Sequence, residues 1–88
     1  MSAEREVAAG KRIEEFLKDE AVIGAFAELD EKYARDWRDA QTAELREFLW
    51  YKQRVLAEVQ QQLKVVVGRG AMAQASLMAQ ARRAPITP

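Results

Sequence analysis

The stretch ELREFLWYKQRVLAEVQQQLKVVV, residues 44–67, decides the fold. Leu45, Leu49, Lys52, Leu56, Val59, Leu63 and Val66 recur at alternating steps of four and three residues, the spacing of a heptad seam. Lys52 is its one polar interruption, and Phe48 and Val55 widen the apolar stripe. The segment holds no proline or glycine. The spacing therefore predicts a long amphipathic helix, whose seam needs a partner.

That partner lies just upstream. Val22, Phe26, Leu29, Tyr33, Trp37 and Ala40 recur at steps of four and three, a second helical stripe. Asp19 suits the N-cap of this helix, with Glu20 in its dipole-favoured first turn. The helix should end near Asp39 or Ala40. A turn follows from Asp39 to Thr42, with Thr42 or Asp39 capping the next helix. Two long helices joined by so short a turn are antiparallel neighbours. The expected core architecture is thus an all-α helical hairpin, about 19–40 and 42–67.

Further out the pattern thins. A shorter N-terminal helix is expected at about 3–17, with Ala9, Gly10, Ile13, Phe16 and Leu17 on one side. Gly10 either weakens it or lets another backbone come close. Gly68 and Gly70 are expected to stop the long helix, one of them in the left-handed conformation. Residues 71–83 would then form a short fourth helix, with Met72, Ala75 and Ala79 on one side. Residues 1–83 read as a single domain and 84–88 as a flexible tail.

Composition narrows the chemistry. The chain has 88 residues with no cysteine and no histidine. The usual pH-tuned base and the preferred zinc ligands are therefore missing. Ser2 and Ser76 have no histidine to activate them. Gly68-Arg69-Gly70 lacks the Lys-Ser/Thr of a phosphate loop. The carboxylate pairs Glu14/Glu15, Asp36/Asp39 and Glu44/Glu47 could meet a hard cation, but they sit among lysines and arginines at helical spacing and read as solvated surface. The expectation is a non-enzyme with no catalytic, cofactor or metal site.

Charge is balanced overall but unevenly placed. Residues 1–47 hold 8 basic and 13 acidic groups, and residues 48–88 hold 6 and 1. Either antiparallel helices attract one another through this split, or the basic half meets an acidic partner. The charged N-terminus does not suit a signal peptide. The uncharged run Gly70–Ala81 is too short and polar to span a bilayer. A cytoplasmic protein without membrane partners is expected.

The aromatics say more. Tyr33 and Trp37 lie on the inward stripe and read as core. Phe48-Leu49-Trp50-Tyr51 spreads over about 300° of azimuth, so it cannot all face one partner. Trp50 points away from the seam, between Arg46 and Arg54. Either Arg54 stacks on it, or it anchors an interface, as Trp and Arg commonly do. Arg46, Trp50, Arg54 and Val65 form the candidate interface. Lys52 either snorkels from the seam or fixes register and oligomer state.

The stretches DEAVIGAFAELDEKYARDWRDA and ELREFLWYKQRVLAEVQQQLKVVVGRG, within residues 19–70, resemble a group of small helical proteins. These are encoded by tailed bacteriophages, prophages and gene-transfer elements near head and DNA-packaging genes. The resemblance implies no catalytic residue. It implies an oligomeric adaptor or virion-assembly component, located in the host cytoplasm or the virion. Its partners would be copies of itself or another phage structural protein. The alternative is a nucleic-acid-binding packaging accessory similar to the oligomerisation hairpin of a small terminase subunit. Its contacts would be Lys64, Arg69, Arg82 and Arg83, aided by Lys52 and Arg54. These basic groups are scattered and the pI is only about 6.3, which argues for weak binding at most.

Overall fold

A computed structural model describes residues 2–83, in which all regular structure is helical. Helix α1 spans Ala3–Lys18, α2 spans Glu20–Asp39 and α3 spans Ala43–Arg83. The expected tail, 84–88, lies outside the described residues.

Local chemistry sets each start. The Ser2 hydroxyl accepts from the Arg5 amide at 3.3 Å at the head of α1. Asp19 alone separates α1 from α2, with extended backbone (φ −66°, ψ 125°). Its carboxylate accepts from the amides of Ala21 at 2.8 Å and Val22 at 3.3 Å. Thr42, not Asp39, caps α3: its hydroxyl accepts from the Leu45 amide at 3.1 Å. Asp19→Ala should cost about 1 kcal/mol, the usual value of such a cap, while Asp19→Asn should cost little. Amide exchange in the first turn of α2 checks this. Unchanged protection at Ala21 and Val22 in the alanine variant would show that the cap is idle.

The expected stop at Gly68 and Gly70 does not occur. α3 continues through both to Arg83, and no described glycine has positive φ. There is no separate fourth helix. The segment beyond Gly70 is rich in Ala, Met, Gln and Arg, all good helix formers. Gly70 instead meets another helix.

The chain divides into two compact units. One brings residues 2–15 against residues 63–83. Gly10 and Gly70, both buried, sit where α1 crosses α3. A Cβ on Gly10 would lie 2.9 Å from the Gly70 Cα, and one on Gly70 would lie 2.9 Å from the Glu6 carbonyl oxygen. The backbones touch because neither residue has a side chain. Ala73, one turn on from Gly70, is buried in the same unit. Of the two readings of Gly10, close backbone approach is the one observed.

The second unit is Phe16–Gln62. Here α2 meets the first half of α3. The Gln53 side-chain amide donates to the Tyr33 carbonyl at 3.3 Å. The Arg46 guanidinium lies 5.5 Å from the Trp37 ring centroid, and the Lys52 ammonium 5.8 Å from that of Tyr33. Leu49 (5% exposed) and Leu56 (9%) are the large side chains at its centre, with Ala40 buried at the turn.

The seam is rotated from its expected phase. Leu49, Leu56 and Leu63 keep their places, at least partly buried. Leu45, Lys52 and Val59 do not: all three are exposed, as is Phe48, and the partly buried Gln53 and Gln60 stand in the inward rows. Lys52 therefore interrupts no seam. Its ammonium lies 4.7 Å from the Phe48 ring centroid as well as near Tyr33, where the stem covers apolar surface and the charge reaches water. Trp37, expected in the core, is 42% exposed.

Candidate functional site

Position on α3 fixes what each side chain can reach. With about 100° per residue, Trp50 lies roughly 90° from the inward rows of Leu49, Gln53, Leu56 and Gln60. It is thus beside α2, not across the helix from it. Trp50, Gln53, Trp37, Ala34 and Arg38 line one hollow on this flank. Both indoles are about half exposed, Trp50 at 47%. Sequence reasoning separated them, assigning Trp37 to the core and Trp50 to the far side. The fold puts both on one surface, a relation that depends on how α2 and α3 are rotated.

Arginines cover the two rings. Arg54 stacks over Trp50 at 5.4 Å, and Arg46 lies over Trp37, not Trp50. Tyr51 meets the Trp50 ring edge-on at 5.2 Å. Such contacts orient exposed rings at modest energy, so each indole is held with one part of its surface open. A second hollow beside the first is lined by Glu31, Ala34, Arg35 and Arg38. The flank is therefore aromatic at its centre and basic around it.

The remaining candidate residues lie elsewhere. Val65 is half-buried in the unit formed with α1 and does not join Trp50. Lys64, Arg69, Arg82 and Arg83 are exposed. Lys64 and Arg69 point about 140° apart on the helix, so the four cations do not form one stripe. Arg82 and Arg83 occupy the last turn of α3, where positive charge complements the helix dipole.

Among the described residues no group of three or more acidic side chains is placed to hold a metal ion, and no polar or charged residue is buried. The Lys32 ammonium donates to Asp36 at 2.8 Å and holds that carboxyl below its ordinary range. Exposed ion pairs of this kind contribute little to stability. No described helix is long and apolar enough to cross a membrane.

No family model, curated protein or solved structure matches the chain.

Proposed function

We infer that this is a non-catalytic helical protein that works by associating with copies of itself, as an adaptor or structural component. We infer an antiparallel pairing of α2 with the first half of α3 as the fold behind it, a reading that three contacts support. Trp37 meets Arg46, and Tyr33, four residues earlier, meets Lys52 and Gln53, six and seven residues later. The resemblance over residues 19–70 makes assembly of a tailed-phage particle the biological setting, with the host cytoplasm or the virion as its location.

One observation carries the reading. Eleven large apolar side chains are exposed among the described residues, against four buried apolar residues, two of them alanines. A scattered exposed leucine means nothing. Here the balance is inverted, and nine of the eleven fall within Phe16–Gln62. A chain this short has little area to bury, and association is a common remedy.

Sedimentation or light scattering from about 1 µM to about 1 mM, the span over which weak to moderate interfaces titrate, tests it. The mass is expected to rise with concentration. Trp50→Ala should weaken association by about 2 kcal/mol or more, as for an aromatic anchor, with helix content nearly unchanged. A wild-type chain that stays monomeric across the range would refute the reading.

A further inference from the structure

In the second unit, two packing phases of α3 on α2 share Leu49 and Leu56. The observed phase completes its inward rows with Gln53 and Gln60, both partly buried. The alternative completes them with Lys52 and Val59, each one residue earlier. It would also bring Phe48 and Val55, now about half exposed, toward α2. Val59 over Gln60 favours the alternative by polarity, and Phe48 and Val55 follow it. Lys52 stands against it, and the chain adopts the other phase.

The two phases differ by a roll of α3 about its own axis of about 50°, given about 100° per residue. The roll would carry Lys52 from the edge of the contact to within about 20° of its centre. There its ammonium would lose water. Asp36, which Lys52 reaches only through its field, already accepts from Lys32 at 2.8 Å. A buried charge without a partner of its own costs far more than a hydrogen-bonded amide. In the observed phase Lys52 is exposed, with its ammonium 5.8 Å from the Tyr33 ring centroid and 4.7 Å from that of Phe48. The amide that takes the inward place is satisfied, because Gln53 donates to the Tyr33 carbonyl at 3.3 Å.

We propose that the charge of Lys52 selects the phase of α3 on α2, and with it the apolar surface that the chain presents. With the charge in place, Trp50 stays beside Trp37, while Phe48, Val55 and Val59 face out. Without it α3 rolls. Val59 and Phe48 turn toward α2, Gln53 and Gln60 turn to water, and Trp50 moves to about 140° from the contact, away from Trp37. The roll belongs to the single chain and does not rest on self-association.

The chain has no cysteine, so one introduced thiol reports on one position. Val59→Cys and Gln60→Cys are each made in the full chain, alone and together with Lys52→Leu. Their reaction with a thiol reagent is followed at low protein concentration, below the onset of association. With Lys52 present, the thiol at position 59 should react severalfold faster than the thiol at position 60. With Lys52→Leu the order should reverse. Lys52→Met, which removes the charge and keeps an unbranched stem, should act as leucine does. Lys52→Arg should keep the wild-type order. An unchanged order in both neutral variants, with helix content retained by circular dichroism, would overturn the proposal. So would reversal in Lys52→Arg, which would show that charge is not what selects the phase. Loss of helix in both neutral variants would overturn it too. Lys52 is exposed, so its replacement opens no cavity, and unfolding would mean that no second phase receives the helix.

Discussion

Leu56→Ala is expected to remove about 2–4 kcal/mol of stability, within the range for deleting a buried leucine side chain. Among the described residues Leu56 and Leu49 are the only large buried apolar side chains, so the α2–α3 contact depends on these two. A folded chain of this length holds in total roughly 5–10 kcal/mol. The loss therefore takes a large part of the margin, and Tm should fall by well over 10 °C. Val59→Ala removes a side chain of comparable chemistry from the same helix. Val59 is exposed in the single chain, so its cost to folding should stay within about 0.5 kcal/mol. Thermal melts at one fixed low concentration, below the onset of association, compare the two. Equal effects would show that the inward rows of α3 are not those of Leu49, Gln53, Leu56 and Gln60.

The comparison of Leu56 with Val59 also shows what the amino-acid pattern can carry. Helix class and most boundaries are legible because they follow from local chemistry: Asp19 and Thr42 cap as their side chains dictate, and Ala40 ends α2 where the stripe ends. The rotation of α3 is less legible. Apolar residues cover more than half its circumference, so choosing Val59 over Gln60 on polarity alone gave a seam one flank off. Gln53 is inward because its amide finds the Tyr33 carbonyl, a partner 20 residues away. The same rotation hid the pairing of Trp37 with Trp50. Arg54 over Trp50 was readable, since residues four apart on a helix are neighbours. Arg46 over Trp37 was not, because it joins two helices. Gly68 and Gly70 show the limit most directly. Both carry the signal of a helix stop, yet one faces open space and the other faces Gly10.

That difference makes the glycines the most discriminating substitutions in the chain. Gly68 has nothing within 4 Å of an added Cβ. Alanine there should simply gain helix propensity, about 0.5–1 kcal/mol. Gly70 should show the opposite sign despite the same gain. Its added Cβ would lie 2.9 Å from the Glu6 carbonyl oxygen and 2.9 Å from the Gly10 Cα. Both are backbone atoms, which cannot rotate away as a side-chain tip would. The helices must part, and overfilling of this kind costs about 1–3 kcal/mol. Gly70→Val adds two further methyl groups at the crossing and should cost about 3 kcal/mol or more, enough to release α1 from α3. The release should be local. Amide protection should fall through α1 and persist in the α2 segment that packs on Leu49 and Leu56, since the two regions belong to different compact units and such units can open separately. Protection of α1 that survives Gly70→Val, or a Gly68→Ala variant as damaged as Gly70→Ala, would show that α1 and α3 do not cross at Gly10 and Gly70.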